Sequence, residues 1–368
     1  MPTNSELHWG IISTGKIAGA FVKDLLLDPA TRDVHDVVHR LVAVGSRNVQ
    51  KAREFINAHA GGDPSIKAYG TYEGVYADGN VDVVYIATPH TYHYRNAMDA
   101  MNARKHVLCE KPVTCNATQL RSLLAAAKKH DVFFMEAMWT RFQPLTLEIK
   151  KIIDEGLLGM PITLHADLSV NFDIRNIPLS HRILDPDLGG GGLLDLGPYP
   201  LMWAMMALYE NRSNNSAKPS NIAGAMLKTS LTNVDCNTSF TLTWSYPNFS
   251  AQAILSCSIN AHAHQTAVVI NFERGTVRIP SPIYCPKEFL IQYYGPENRQ
   301  VKEERRNYEY FGGGWHFQAD EVARCLHEGK RESDSWGHDK SLVQMEIFDE
   351  VRRQGGYSLP PDVEGVDA

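Results

Sequence analysis

Residues 10–19 read GIISTGKIAG, and this short stretch decides the fold. It follows a β-branched run and precedes a helical pattern, the context that a dinucleotide-binding turn requires. Ser13, Gly15 and Ala18 occupy the three small-residue positions of a Rossmann turn, where the central glycine lets the backbone approach a pyrophosphate. A P-loop beginning at Gly10 is the rival interpretation, but Ile17 stands where a Ser or Thr hydroxyl should hold magnesium. The stretch favours a dinucleotide site, with an ordinary glycine-containing strand-to-helix turn as the alternative.

The first third of the chain alternates short apolar runs with amphipathic patterns. Strands are predicted at residues 7–12, 40–45, 81–87, 106–109 and 132–136, and helices at 17–27, 49–60, 95–103 and 117–130. This alternation is typical of a doubly wound parallel sheet. We therefore predict an α/β Rossmann domain over residues 1–140.

A chain of 368 residues exceeds what one core usually covers, so a second domain is expected over residues 141–368. After a helix at 148–155 the pattern changes to short alternating strands, such as 240–244, 251–259 and 266–272. These predict an α+β domain with an open-faced, mainly antiparallel sheet, whose free face a second copy of the protein could cover. Helical patterns return at 317–328 and 341–354, and these final helices are expected to pack back on the first domain.

Composition excludes several classes of function. The net charge is −6 and no Lys/Arg block occurs, which argues against nucleic acid and anionic membrane as partners. No apolar run approaches the ~20 residues of a membrane span, and the first residues are polar, so a cytoplasmic protein is expected. Six scattered cysteines without a CxxC pair predict reduced, buried thiols.

Metal and hydrolase chemistry are not favoured. His90 and His93 lack a third ligand at a recognisable spacing, and His262 with His264 is better explained as a solvated pair, so no metal is predicted. No G-x-S-x-G elbow occurs, which removes the commonest hydrolase interpretation.

The end of the second strand favours NADP over NAD as the cofactor. NAD-binding folds place Asp or Glu there to bind the ribose 2′-hydroxyl, but this chain has Ser46 and Arg47. An acid would repel a 2′-phosphate, whereas Arg47 offers a planar fork of donors for it. A solvated surface arginine remains the alternative.

Two further clusters contain residues suited to proton transfer. Lys111 follows a strand, at the edge of a parallel sheet where open α/β folds bind ligands. Its charge would lower the pKa of a nearby phenol. Asp195 and Tyr199 lie four residues apart after a glycine run at 189–192, which permits close backbone approach.

Four ordered motifs together resemble the Gfo/Idh/MocA superfamily of oxidoreductases, over nearly the whole chain. They are the Gly15 turn, TPH at 88–90, EKP at 110–112, and the glycines 191–192 leading to Asp195-x-Gly197-x-Tyr199. EAMWTRF at 136–142 is similar to the branch of dimeric dihydrodiol dehydrogenase and fungal NADP-dependent D-xylose 1-dehydrogenase, and SHR at 180–182 with DPDL at 185–188 resembles the xylose enzymes. Many superfamily members have His at the Tyr199 position and an Asp one turn later. Here Met202 and Trp203 follow, which favours the tyrosine branch.

The resemblance implies an N-terminal Rossmann domain, a homodimer through the C-terminal sheet, and NADP as cofactor. It implies that Lys111, Tyr199 and Asp195 are catalytic. The cofactor-binding residues expected from the turn and the resemblance are Ser13, Thr14, Gly15, Lys16, Ile17, Ser46, Arg47, Thr88, Pro89, His90, His93, Glu110 and Lys111. The expected substrate residues are Trp139, Arg141, Phe172, Arg182, Asp195 and Tyr199, with a core role left open for Trp139.

The expected reaction is oxidation of an aldopyranose at C1, D-xylose to D-xylonolactone, by hydride transfer to NADP. Tyr199 would take the hydroxyl proton, and Lys111 would lower the phenol pKa from ~10 or bridge the hydrogen bond. Which of the two holds the proton is left open. Alternatives are trans-1,2-dihydrodiols or D-glucose as substrates and, from another class, a non-catalytic NADP-binding transcriptional regulator. The joint presence of Lys111, Asp195 and Tyr199 favours an enzyme.

Overall fold

Two β-sheets organise the protein, whose computed structural model describes residues 5–366. The chain divides into two compact units. Within the described residues, unit 1 contains 5–142, 310–342 and 365–366, and unit 2 contains 143–309 and 343–364.

Unit 1 contains a six-stranded parallel sheet of order β3-β2-β1-β4-β5-β6. Its strands are β1 (Ser5–Ile12), β2 (Val37–Gly45), β3 (Lys67–Tyr69), β4 (Val83–Ile86), β5 (His106–Glu110) and β6 (Phe134–Ala137). Its helices are α1 (Lys16–Leu25), α2 (Val49–His59), α3 (Tyr72–Ala77), α4 (His93–Asn102), α5 (Ala117–His130) and α9 (His316–His327). The strand order reverses between β1 and β4, and ligands of such folds bind at the carboxyl ends of the strands beside this reversal.

Local sequence sets the helix ends in unit 1. The Asn48 side chain accepts from the Lys51 amide at the start of α2, and Asn116 accepts from the Gln119 amide at the start of α5. The last turn of α5 is basic, which suits a helix C-terminus, and Asp131 then leaves the helix in the left-handed conformation. Helix α5 connects β5 and β6, which are buried except at His106, because helices cover both faces of a parallel sheet.

A buried ion pair joins α9 to the strands of unit 1. The Arg32 guanidinium donates to both carboxylate oxygens of Asp320, at 2.8 and 2.7 Å, and the His39 ring lies 3.0 Å from the same carboxylate. Trp9 donates its indole N–H to the other His39 nitrogen at 3.1 Å. Burial alone would raise the pKa of Asp320, but the bonds from Arg32 and His39 lower it, so the carboxylate stays ionised.

Unit 2 contains an eight-stranded sheet of order β14-β13-β12-β11-β7-β10-β9-β8. Its strands are β7 (Pro161–Ser169), β8 (Asn221–Lys228), β9 (Asp235–Tyr246), β10 (Phe249–Ser258), β11 (Thr266–Phe272), β12 (Gly275–Pro280), β13 (Glu288–Tyr294) and β14 (Gln300–Asn307). Only the pair β7 and β10 is parallel. The predicted fold class, a parallel Rossmann sheet with a mainly antiparallel second sheet, is therefore confirmed.

The second sheet has one face covered and one face open. Along β9, Phe240, Leu242 and Trp244 are buried, whereas the side chains between them are at least partly exposed. The short helices α7 (Gly192–Asp195) and α8 (Pro198–Ala204) contact strands β7, β9 and β10 of this sheet. The remaining helices are α6 (Pro144–Asp154), α10 (His338–Gln354) and α11 (Pro361–Glu364), and the boundary between the units falls within α10.

Some local features differ from the predictions. The three-residue strand β3 was not predicted, because it is short and none of its side chains is fully buried. The polar stretch after α8, for which no element was predicted, contains a turn of 3-10 helix at Arg212–Asn214 whose Asn214 is buried. All six cysteines are free thiols, and all but the half-buried Cys285 are buried. No helix in residues 5–366 combines the length and the apolar character needed to cross a bilayer.

Candidate active site

The turn between β1 and α1 has the backbone geometry of an anion site. Ser13 adopts a left-handed φ of +82°, and Gly15 is the N-cap residue of α1. No side chain caps this helix, and its first turn contains no acidic residue. A Cβ added to Gly15 would meet only the Ser13 hydroxyl within 4 Å, at 3.7 Å. The helix amides are therefore open to a phosphate group.

Two cations flank this turn and suit a second phosphate. Lys16 and Arg47 are both exposed, and neither has an ion-pair partner among residues 5–366. The side chains of Thr14 and Ser46 lie 3.3 Å apart, which links the turn to the end of β2. The strand ends without an acid, so nothing here repels a 2′-phosphate. These residues fit the adenosine half of NADP.

The segment after β4 places its two histidines in different environments. The His93 ring is fully buried, with Nδ1 2.8 Å from the Pro112 carbonyl oxygen and Nε2 2.9 Å from that of Thr88. Burial lowers the His93 pKa to about 4, so the ring is neutral and donates to one carbonyl at a time. His90 is only half-buried. His93 thus ties two strand-end turns together, and His90 is the more accessible of the pair.

Lys111 is held at the carboxyl end of β5 by a buried neighbour. The Tyr85 hydroxyl donates to Glu110 at 2.5 Å, and the Lys111 amide donates to the other Glu110 oxygen at 3.2 Å. Burial raises the pKa of Glu110 to about 7. Lys111 itself is partly exposed, and the peptide between Lys111 and Pro112 is cis.

Glu136 binds the backbone just after Lys111. The sequence did not identify it as a site residue. One of its oxygens accepts from the Val113 amide at 3.1 Å. The other accepts from the Trp336 indole at 3.0 Å and the Ser341 hydroxyl at 2.6 Å. The sequence signal available was an acid in an otherwise apolar strand.

The expected substrate residues of unit 1 are largely covered. Trp139 and Arg141 lie in a 3-10 turn after β6 and are 3% and 4% exposed. The Trp139 ring stacks on Trp315, with centroids 4.4 Å apart and planes 8° from parallel. Trp315, which keeps part of its surface exposed, was not predicted.

In unit 2, the glycine run brings Asp195 and Tyr199 onto two successive short helices. Asp195 ends α7 and Tyr199 is the second residue of α8. The turn before α7 depends on Gly191, whose φ is +113° and whose added Cβ would lie 2.1 Å from an Asp235 oxygen. Asp235 accepts from the Leu193 amide at 2.7 Å, and burial raises its pKa to about 6. Asp235 is a second residue that sequence reasoning missed, because it lies 40 residues beyond Asp195.

Arg182 and Phe172 are the remaining predicted residues of unit 2, and of these Arg182 contacts Asp195. Arg182 is paired with Asp195 at 3.1 Å, and its side chain is 48% exposed. The Tyr199 and Tyr284 rings pack with centroids 5.6 Å apart. Phe172 is half-buried in the segment that follows β7, where its amide donates to the Ile259 carbonyl.

Each unit thus collects part of the predicted site. Unit 1 gathers the phosphate turn and the end of β2, and it places Lys111 and Trp139 after two adjacent strands. Unit 2 gathers Arg182, Asp195 and Tyr199. Among residues 5–366, no three His, Cys, Asp or Glu side chains are grouped so as to hold a metal ion.

Comparisons with known proteins give consistent matches. Residues 7–138 match the family model described as the GFO_IDH_MocA oxidoreductase family, NAD-binding Rossmann fold. Residues 146–278 match the GFO/IDH/MocA C-terminal domain.

Curated relatives match along nearly the whole chain. The NADP(+)-dependent D-xylose 1-dehydrogenase of Hypocrea jecorina is 37% identical, with 96% of this chain and 93% of the relative covered. The trans-1,2-dihydrobenzene-1,2-diol dehydrogenase of Danio rerio is 34% identical, with 97% and 99% covered. Among solved structures, an aldose-aldose oxidoreductase from Caulobacter crescentus has a TM-score of 0.78 at 21% identity, with 95% and 98% covered. At that identity the last match supports the fold alone.

Proposed function

Because the chain belongs to the Gfo/Idh/MocA family of oxidoreductases, we propose that it oxidises an aldopyranose at C1, with D-xylose as substrate and NADP as cofactor. The observation that supports this substrate above others is the similarity, along 96% of the chain, to an NADP-dependent D-xylose 1-dehydrogenase. The product is the aldonolactone, because loss of a hydride from C1 and a proton from its hydroxyl leaves a carbonyl in the ring.

The open turn at Gly15 and the unpaired cations Lys16 and Arg47 fit NADP. When bound, NADP supplies the acceptor for the hydride. Arg47 offers a bidentate fork to the 2′-phosphate, and the uncapped amides of α1 face the pyrophosphate. Thr88 and His90 follow β4, the strand beside the order reversal, and we assign them to the nicotinamide side of the cofactor. Glu110 and His93 are buried, so we assign them to holding the turns on which Lys111 and Thr88 lie.

Tyr199 and Lys111 form the proposed proton-transfer pair. Tyr199 accepts the proton of the C1 hydroxyl, and the Lys111 ammonium supplies the positive charge that lowers the phenol pKa from its free value near ~10. Asp195 is the proposed third member. It holds the Arg182 guanidinium, whose remaining N–H donors are available to substrate hydroxyls.

A second candidate substrate class is the trans-1,2-dihydrodiols of aromatic rings. The similarity to dihydrodiol dehydrogenases covers 97% of this chain and supports the same residues in the same roles. Both classes present a secondary or hemiacetal hydroxyl on a six-membered ring.

A steady-state panel with NADP separates the candidates. D-xylose, D-glucose and trans-1,2-dihydrobenzene-1,2-diol are compared by NADPH absorbance at equal concentrations. We expect the highest kcat/KM with D-xylose. A higher kcat/KM with the diol would identify dihydrodiols as the substrate class. If none of the three compounds gave NADPH, both proposed substrate classes would be refuted.

We also propose that the protein forms a homodimer through the open face of the second sheet. The outward side chains of β9 and β10 are short or uncharged, and on the same face Leu227 of β8 is 67% exposed and Ile254 of β10 is 38% exposed. A second copy would cover them. Light scattering should give twice the chain mass, and Ile254→Asp should give the single mass with its thermal melt retained. A wild-type mass of one chain would contradict the proposal.

The proposed location is the cytoplasm. All six cysteines are free, and none is positioned as a disulfide, which fits a reducing compartment. Cell fractionation with a cytoplasmic marker enzyme tests this, and enrichment in an organelle or membrane fraction would contradict it.

A further inference from the structure

The segment Gly312–His316 is anchored on α1 by one carboxylate. Asp24 accepts from the backbone amides of Gly313, Gly314 and Trp315 at 2.7–3.0 Å, and the His316 ring lies 3.2 Å away. Burial would raise the Asp24 pKa, but the contacts with His316 and these amides lower it, so the carboxylate is ionised at neutral pH. Three consecutive amides on one carboxylate fix the backbone at Trp315.

The Trp315 side chain is fixed as well. One face of its ring stacks on Trp139 at 4.4 Å. A Cβ added to Gly313 would lie 2.1 Å from the Trp315 ring, so the indole packs directly on the glycine backbone. Of the two stacked indoles, Trp139 is 3% exposed whereas Trp315 keeps part of its surface accessible.

Sheet register places Trp139 and Lys111 after neighbouring strands at the same edge of the sheet. In the pairing of β5 with β6, Glu110 lies opposite Ala137. Lys111 and Trp139 follow those residues by one and two positions. Adjacent strands are about 4.8 Å apart, and Lys111 and Trp139 lie one and two residues beyond a paired strand end, so both leave the sheet at the same edge.

We propose that Trp315 is a specificity-determining residue that contacts the apolar ring face of the substrate, with Asp24 as its positioning residue. This inference rests on the proposed function and extends it to a residue outside the motifs. We call the two stacked indoles the platform: the buried Trp139 supports the ring of Trp315, and Trp315 contacts the substrate.

The chemistry selects cyclic substrates. A rigid indole offers a large flat apolar surface with a polar edge, which complements the C–H face of a pyranose or a cyclohexadiene diol. An acyclic polyol has no such face and gains less from the contact. Trp315 should therefore contribute to binding of ring substrates and little to the chemical step.

The kinetic test compares Trp315→Ala and Trp315→Phe with Phe311→Ala. Phe311 immediately precedes this segment, is 67% exposed, and packs against no other aromatic ring within residues 5–366. With the substrate that the panel identifies, Trp315→Ala should raise KM about ten-fold and change kcat less than about three-fold. The KM of Trp315→Phe should lie between those of the wild type and Trp315→Ala, and the KM of Phe311→Ala should equal that of the wild type.

A spectroscopic test measures whether Asp24 positions Trp315, and it requires no catalytic turnover. Two indoles stacked 4.4 Å apart couple their transitions, and we expect this coupling to appear as a circular-dichroism couplet that Trp315→Phe and Trp139→Phe both abolish. Asp24→Asn has one acceptor oxygen for several donors, so it should weaken the couplet and raise KM with kcat retained. The matched control is Asp36→Asn, which weakens an exposed pair of bonds from Arg324 on α9.

The outcomes separate this inference from the proposed function. A wild type without NADPH formation refutes the proposed function, whereas the couplet still tests the anchor. If the wild type turns over D-xylose and Trp315→Ala has the same KM as the wild type, the proposed role of Trp315 is wrong and the proposed function stands. An unchanged couplet in Asp24→Asn overturns the positioning role.

Discussion

Replacement of Glu110 by Gln should change how the stability of the protein depends on pH. Glu110 is 7% exposed and precedes Lys111 in the chain. Its carboxylate has the Tyr85 hydroxyl and the Lys111 amide as donors. These bonds and the Lys111 charge favour ionisation, but burial outweighs them and raises the pKa from 4.5 to about 7.

The magnitude follows from this shift. A difference of roughly 2.5 pKa units, at about 1.36 kcal/mol per unit, corresponds to about 3 kcal/mol. The folded state holds the proton more tightly than the unfolded state. The stabilisation from protonated Glu110 is therefore fully present below pH 4.5 and is lost as the pH rises through 7. In the Gln variant this contribution is absent at every pH.

Urea unfolding of both proteins at pH 5, 6, 7 and 8 measures the effect. The difference in unfolding free energy, variant minus wild type, should shift by about 2.5 kcal/mol in favour of the variant between pH 5 and pH 8. Asp235→Asn is the matched control in unit 2. Its carboxyl has a pKa raised to about 6 by burial, so the same shift should occur about one pH unit lower.

A difference that stays constant from pH 5 to pH 8 would refute this account of Glu110. It would mean that the carboxyl keeps one ionisation state throughout, and that burial does not dominate its environment beside Lys111.

Three further predictions follow from the site. Arg47→Ala should raise KM for NADP about ten-fold or more and leave KM for NAD nearly unchanged, whereas equal effects would exclude a 2′-phosphate contact. Tyr199→Phe should lower kcat about 10²- to 10⁴-fold with little change in KM, and near-normal turnover would remove it from proton transfer. Gly191→Ala should lower the melting temperature far more than Gly61→Ala, because both have positive φ but only Gly191 faces a nearby atom, an Asp235 oxygen.

Much of unit 1 could be predicted because its signals are local. The apolar period and polar flanks place α5 at the same residues, 117–130, in sequence and structure. The β1 turn is likewise local, since its small residues and following helix lie within ten positions. Strand β3 was not predicted, because an alternation of apolar and polar residues cannot be recognised over three residues.

The residues that support the site could not be found in this way, because their partners are distant in the chain. Glu136 joins Val113 to Trp336 and Ser341 across more than 200 residues. Asp24 meets the glycine segment nearly 290 residues later. Such bonds depend on the completed fold, and a single buried acid in a sequence does not identify its partner.

If the protein oxidises an aldopyranose at C1, the hydride that reduces NADP comes from that carbon, and isotope transfer measures its origin. The protein is incubated with NADP and D-xylose deuterated at C1, and the reduced cofactor is examined by NMR and mass spectrometry. We predict one deuterium at C4 of the nicotinamide, with xylonolactone or its hydrolysis product xylonate formed in equal amount. NADPH without deuterium, or no reduction of NADP by D-xylose, would contradict the proposed oxidation at C1.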